Sequence, residues 1–488
     1  MRELKRAGLE IKNPVPIKKS PKPQVVADTA DYDDNEATVS LVDAAIGRNM
    51  GNIKSSDIKK LLVSEVLPLA CHLTGGMEPI TMLGTFSLER PLGTVKVEDD
   101  GSAHFKIPAN RALSFTALDA DGKAVKKMQS FVSFAPGTTT SCIGCHERRD
   151  MAPPPIAHKL KALRRPADRP APIPGVKCTE VPDFVRDIQP ILSKYCIDCH
   201  NPQKFAAKID LTPGMGPMFA RSYYWLYLKD QISDGFNGNG NMAPYGFGSG
   251  SSKLLKKLEG AHYAKRATDE ELNLVKVWLD TGAIHAGSIA AAESGMLGSY
   301  YLNKFVARDA DWEEIKDINE VFRESCASCH TGEKRLPDRI SKDTRESKNW
   351  YFTYAQRGKN TPRARLSSGA VFNLTFPENS AVLMAPLSSK AGGRAGTGGH
   401  TVIFASRDDP RYRRILKAIE KAKDYVENQN PRYDSPNYKP KGAYLRAMKR
   451  FSVIRDGQPM GNFNAFDCDK KYWDLVVAPK PYQCPDNE

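Results

Sequence analysis

The chain has 488 residues, with 71 lysines and arginines against 57 aspartates and glutamates, for a formal net charge of +14. Hydrophobic residues make up 40%, mean hydropathy is −0.48, and no apolar run is long enough to predict a membrane-spanning helix. The length exceeds one hydrophobic core and predicts about three domains. The basic residues are dispersed and neighboured by acids, which argues against a nucleic-acid partner and for acidic protein partners or a generally solvated basic surface.

In chain order, residues 1–36 read as a basic, Pro-containing lead-in that ends in an acidic patch at Asp31–Glu36. Residues 37–151 read as a small β-sandwich-like domain. Its β-compatible runs are Gly84–Leu88, Thr94–Val97, Ala103–Ile107, Leu113–Leu118 and Ser130–Phe134, with turn signals at Asp100-Gly101 and Asp121-Gly122. Residues 152–180 are a Pro- and Arg-rich linker, predicted to be semi-rigid rather than folded. Residues 181–290 read as mostly helical. Phe184, Ile188, Leu192 and Tyr195 share one helical face, with Pro190 predicting a kink or early break. Thr268-Asp-Glu-Glu271 is a capping box opening a helix with Leu272, Val275 and Leu279 on one face, and Gly282 is placed to cap its end. Residues 291–455 repeat the plan. Ile315, Ile318 and Phe322 form a helical face, and Asp409-Pro410 starts a helix carrying Ile415 and Ile419. Residues 456–488 read as an irregular tail. The overall class is α+β, multidomain.

The chemistry lies in a motif that occurs three times: Cys142-Ile-Gly-Cys145-His146, Cys196-Ile-Asp-Cys199-His200 and Cys326-Ala-Ser-Cys329-His330. Cys-x-x-Cys-His is the covalent attachment site of a c-type haem: two thiols add across the vinyl groups and the His ligates the iron. With 9 histidines in the chain, one directly after any given pair has a chance of about one in fifty, and all three pairs have one. A zinc ribbon wants its second pair about 15–20 residues on, whereas these motifs lie about 50 and about 130 residues apart. Three covalent haem c groups are therefore expected, and their six propionates would lower the net charge to about +8.

His146, His200 and His330 are the proximal ligand candidates. In each helical region the motif helix leads through a loop of about 70–80 residues to the capped helix, the order of a small cytochrome c. His262 and His400 lie shortly before the two caps and are the distal candidates. Met242-Ala-Pro244 and Met384-Ala-Pro386 are the alternatives, and His285 is a weaker one. For the first haem, His72, His104, Met128, Met151 and His158 compete with an open iron, and any reactive centre is expected there, near Arg148, Arg149 and Asp150. The four other cysteines are Cys71, Cys178, Cys468 and Cys484. Cys468 with Cys484 would close a short loop, and Cys71 with Cys178 is a second pairing. Haem c attachment implies a periplasmic or otherwise extracytoplasmic protein, although residues 1–24 show no apolar signal core.

The runs Gly75-Gly-Met-Glu-Pro79, Gly84-Thr-Phe-Ser-Leu-Glu89, Asp100-Gly-Ser-Ala103 and Ser141-Cys-Ile-Gly-Cys-His-Glu147 resemble the middle domain of the hydrazine synthase alpha-subunit family. Phe184-Val-Arg-Asp-Ile-Gln-Pro-Ile-Leu192 and Asp408-Asp-Pro-Arg-Tyr412 resemble its relatives. The resemblance implies a multihaem cytochrome with a haem-binding middle domain, a cytochrome-like C-terminal part and membership of a complex. In that family a Tyr four residues beyond the first motif His ligates the iron and the His holds zinc. The matching position here is Asp150, and the next Tyr is Tyr195. The family's N-terminal β-propeller is expected to be absent, and three motifs stand in place of two. The leading expectation is an electron-transfer protein serving redox partners. The alternatives are a haem oxidoreductase acting on small nitrogen compounds at the first haem, with the others as relay, and a scaffold in which haems serve as staples.

Overall fold

The computed structural model describes residues 27–73, 80–82, 87–145, 160–232, 241–263, 266–297, 299–301, 304–341, 361–396, 400–455, 463–476 and 483–485, with Lys19 and Gln24. Seven strands build the N-terminal domain: β1 (Glu36–Leu41), β2 (Lys60–Leu67), β3 (Leu88–Lys96), β4 (Ala103–Pro108), β5 (Leu113–Leu118), β6 (Ala124–Lys127) and β7 (Thr139–Cys142). They form two sheets, ordered β4-β1-β7 and β3-β2-β5-β6. Alternation along the strands turns Val39, Leu41, Phe105 and Ile107 of one sheet toward Leu61, Val63, Val95 and Ala117 of the other, in one core. The predicted runs at 94–97, 103–107 and 113–118 lie in β3, β4 and β5. Ser130–Phe134 makes only an isolated bridge, Leu113 to Val132, and residues 84–86 of the first run lie outside the described residues.

At the heart of this domain Glu65, fully buried, accepts from Arg90 Nε (2.8 Å) and Arg111 Nη1 (3.0 Å), both buried. Arg90 also reaches Asp474 at 3.3 Å. One carboxylate thus bridges two buried guanidiniums, and removing it takes the shortest ion pair from each.

Part of the predicted linker is docked. Residues 160–171 run along the sheets, where Thr94 and Ala171 exchange backbone hydrogen bonds (2.9 and 2.7 Å) and Lys106 N–H donates to Asp168 O (2.7 Å). Arg165 pairs with Glu98 at 2.9 Å. Gly93, at φ +131°, makes this approach possible, because a Cβ there would lie 2.4 Å from Ala171 O. Arg165 and Arg169 anchor the segment, the latter through Glu36.

Eight principal helices follow: α1 (Gln189–Tyr195), α2 (Arg221–Leu228), α3 (Lys253–Leu258), α4 (Asp269–Asp280), α5 (Glu313–Ser325), α6 (Pro410–Gln429), α7 (Gly442–Arg450) and α8 (Ala465–Val476). Pro190 is tolerated because it sits in the first turn of α1, behind a π-helical turn at Phe184–Ile188 capped by Asp183. The capping box at Thr268 forms, with Glu271 N–H donating to Thr268 Oγ1 (3.2 Å) and Thr268 N–H to Glu271 Oε2 (2.9 Å). Gly282, at φ +112°, follows the end of α4, and Ala283 N–H closes it onto Trp278 O at 2.8 Å. Asp409 caps α6 through the Arg411 amide at 2.9 Å.

One continuous core runs through both helical regions, joining Phe184, Leu192 and Trp278 to Ile315, Phe322 and Ile419. A smaller core holds the C-terminus. The predicted irregular tail contains α8, whose Cys468, Tyr472 and Trp473 pack with Tyr444 and Ile289. Buried Asp469 accepts from Ser288, the Ile289 amide and Tyr444. The expected Cys468–Cys484 loop is corrected, as is the Cys71–Cys178 pairing: Cys178 is bonded to Cys484, 306 residues away, and neither Cys468 nor Cys71 is in a disulfide. Cys468 faces the core from α8 and cannot also meet the chain end. No described helix is long and apolar enough to cross a membrane.

Two outcomes are expected. Glu65→Ala should lower stability by about 3–5 kcal/mol, read as a shift in the urea midpoint. Non-reducing peptide mapping should recover the Cys178 peptide linked to the Cys484 peptide, and neither should appear linked to Cys468.

Candidate functional site: two histidine-walled clefts

The second and third motifs take the same shape. α1 ends at Cys196, whose N–H closes onto Leu192 O (2.9 Å), and His200 N–H returns to Cys196 O (3.0 Å). α5 ends at Cys326 with a bond to Phe322 O (3.0 Å), and His330 N–H returns to Cys326 O (2.9 Å). Each imidazole is then oriented by a carbonyl further along: His200 Nδ1 lies 3.0 Å from Ala206 O, and His330 Nδ1 lies 3.1 Å from Lys334 O. A proton on Nδ1 donated to that carbonyl leaves Nε2 with its lone pair, the tautomer that ligates a metal. Burial holds His200 below the ordinary imidazole range. The Ala206 carbonyl partly opposes this, and the nearby His262 adds to it.

The distal candidates lie opposite. The rings of His200 and His262 are 6.0 Å apart with planes 26° from parallel. Those of His330 and His400 are 6.2 Å apart at 27°. Two imidazoles bound to one metal from opposite sides, with bonds of about 2 Å, place their ring centres about 6 Å apart. His400 Nδ1 faces Thr401 O at 2.8 Å, which again leaves Nε2 as the acceptor.

Each pair stands in an apolar cleft. The second is lined by Cys196, His200, Leu211, Leu226, Leu254 and His262. The third is lined by Cys326, His330, Trp225, Val371, Val382 and His400. The donor chemistry fits haem c: the first motif thiol, Cys196 or Cys326, in the lining, an imidazole on each side, and apolar walls. Among the described residues, no three His, Cys, Asp or Glu side chains converge as a metal cluster.

The competing residues are placed elsewhere. Met242 packs against Leu62 and Leu118 of the β domain, and its carbonyl accepts from Lys126 Nζ at 2.5 Å. Met384 is fully buried, with its carbonyl on the Arg394 amide (2.8 Å). Neither lines a cleft. His285 is a core residue. Its Nε2 accepts from the Ala220 amide at 2.9 Å, its ring contacts Phe219 and Tyr223, and burial pushes it down to about 3.

At the first motif, β7 pairs in parallel with β1, setting Cys142 beside Leu41. Val42 N–H donates to Cys142 O (2.9 Å) and Cys145 N–H to Ile46 O (2.7 Å). The motif's Gly144 is required, because a Cβ there would lie 2.1 Å from Ile46 O. Both thiols sit against the β core. His146, Arg148, Arg149, Asp150, Met151 and His158 lie outside the described residues. His104 faces Arg165 O at 3.4 Å, from β4, two strands from β7. His72 is described but lines neither of these two clefts. Met128 follows β6, with its N–H on Phe115 O (3.0 Å).

The wall residues Phe205, Trp225, Lys229, Arg365 and Arg394 carry no motif and were missed in the sequence. The dense aromatic run Tyr223-Tyr-Trp-Leu-Tyr227 was their one signal.

The second motif is steadied by the capping box of α4. Burial alone would raise the Glu271 carboxyl, but Lys194, the Thr268 amide and Tyr195 outweigh it and hold it at about 2. Lys194 and Tyr195 are the last residues before Cys196. A folded value below the unfolded one means stabilisation present above about pH 4.3 and lost as pH falls toward 2. Glu271→Ala is expected to cost about 1 kcal/mol at pH 7, and the gap from the parent protein should close at pH 2–3, both read by urea unfolding.

Comparison with known proteins bears on the first motif. The model of the hydrazine synthase alpha subunit middle domain matches residues 39–147. Among solved structures, Kuenenia stuttgartiensis hydrazine synthase aligns at 19% identity over 52% of this chain and 44% of its own, with a TM-score of 0.40. A 9R-lipoxygenase from Cyanothece PCC8801 aligns at 12% identity over 25% and 18%, with a TM-score of 0.12. The chain thus spans less than half the length of either, and neither likeness carries an argument about the site. A search of the curated proteins gives no match. The matched residues 39–147 run from within β1 through β7 and include the first Cys-x-x-Cys-His, so this segment is similar to the hydrazine synthase alpha subunit middle domain.

Proposed function

We propose that the chain is an extracytoplasmic multihaem c-type cytochrome. Its haem c groups would be held at Cys142, Cys145 and His146, at Cys196, Cys199 and His200, and at Cys326, Cys329 and His330. Residues 181–290 and 291–455 would act as two cytochrome-c-like modules following the β domain. Haem c, when bound, supplies one-electron chemistry at iron. His262 and His400 close the second and third sites opposite the motif histidines, so these two sites take electrons and not substrates. The observation that carries this reading is the pair of ring separations, 6.0 and 6.2 Å, each beside a motif thiol in an apolar cleft. The partners are redox proteins, with acidic ones favoured by the charge of +14, and the chain serves as one subunit of a complex.

The family match favours a second reading of the first site. Hydrazine synthase is an enzyme by its name, and the matched segment ends on the first motif. In this reading the β domain acts on a small nitrogen compound and the two histidine-walled sites relay its electrons. Asp150 stands where the family resemblance expects Tyr, and this substitution separates the chain from the synthase chemistry.

Two low-spin bis-histidine spectra are expected from the holoprotein by EPR. His262→Ala should convert one of them to a high-spin, CO-binding haem, and His400→Ala the other. Unchanged low-spin signals in both variants would sink the ligand assignment. CO or NO binding by the parent protein, lost in Cys142→Ala/Cys145→Ala, would establish the first site as the reactive one.

A further inference from the structure

The two clefts are neighbours with a common wall. α2 stands between them, with Leu226 lining the second and Trp225 lining the third. The turn at Phe205–Lys208 does the same, with Ala207 on the second cleft and Phe205 and Lys208 on the third. Phe205 and Trp225 meet edge to face at 5.7 Å.

Cations gather along this wall. Lys229, just past α2, lines the second cleft, and Lys208 and Arg365 line the third. Lys229 Nζ lies 5.9 Å from the Trp225 ring, so it sits at the partition itself. Its ammonium is pushed down by burial, with Arg365 and Lys208 adding their repulsion and no carboxylate opposing. Among the described residues, no ion pair joins Lys208, Lys229 or Arg365 to a carboxylate, whereas most other basic residues of the helices have one. Trp225 provides an independent sign. It is 96% buried and its indole N–H finds no acceptor, an expensive state unless a ligand supplies one. Three like charges and an orphaned donor at one partition call for anions.

We propose that Lys229, Arg365 and Lys208 form one shared clamp for carboxylates, the propionates of the two porphyrins seated in the second and third clefts. This rests on the haem reading of those clefts. It adds that both cofactors turn their acidic edges to the same partition, so that a single charge there bears on both irons. A nearby cation favours the reduced iron site, which carries one more electron, so its removal lowers both potentials.

The test is an optical redox titration of holoprotein whose haem content has been counted by intact mass. Lys229→Met is expected to lower both bis-histidine midpoints by about 59 mV, a tenfold change for a one-electron couple. Arg365→Met should do the same, Lys229→Arg should restore the parent values, and Lys316→Met, a surface control on α5, should move neither. Should Lys229→Met fail to mature, Lys229→Gln is read on the same scale. A shift confined to the haem whose cleft the residue lines, or no shift with full haem content, overturns the clamp and leaves the haem sites standing. Parent protein lacking haem mass at the second and third motifs overturns the haem reading, and the clamp falls with it.

Discussion

A helix end fixes each histidine. In both helical regions the last turn closes on the first cysteine, the histidine amide returns to that cysteine's carbonyl, and Nδ1 is pinned by a carbonyl four or six residues on. The imidazole has therefore lost its freedom before any ligand binds. Preorganisation of this kind spares the ordering cost that a loop-borne ligand would bear. It also explains the weight of the flanking structure. α5 is held to α6 by Trp312 against Tyr425 at 5.7 Å and by Glu314 with Lys421 at 2.6 Å. The exposed ends of such ion pairs contribute little, but they surround buried contacts that set where His330 sits.

The two candidate distal histidines, His262 and His400, are held differently. His262 follows α3 and His400 lies in an irregular stretch before α6. Their positions come from tertiary packing, and sequence distance from a helix cap is only an indirect measure of it. Both modules place the second histidine late in the loop, and this repetition is what made His262 and His400 legible. The methionines repeat just as regularly, and spacing alone does not rank the two pairs. Packing separates them: Met242 fills a gap against the β domain, and Met384 is inside the core of the third region.

Legibility elsewhere follows the same division between local and long-range causes. The capping box at Thr268, the Asp409-Pro410 start and the runs in β4 and β5 are local signals, and the corresponding elements are present. What escaped depends on partners distant in the chain. β1 and β7 form an unusual parallel pair about 100 residues apart, and β7 offers only Thr-Thr-Ser-Cys as its sequence. The linker arginines needed Glu36 and Glu98 to become anchors. Cys178 met Cys484 across 306 residues, where nearness in sequence favoured Cys468. In α8 the signal was present, since Ala465, Cys468 and Tyr472 share a face, but polar flanks and the chain end disguised it.

The single core through both helical regions changes what two repeated modules can mean. Separate modules joined by a linker would hold their cofactors at variable distance. Here Phe205 and Trp225 belong to the second region by sequence and line the cleft of the third, while Arg394 of the third lies 4.3 Å over the Phe205 ring. The third cleft is not complete without the second region. A mutation in the shared partition is therefore felt in both clefts, and that partition is rigid because it is also core. Repetition in the sequence produced two similar sites, and shared packing makes them one unit.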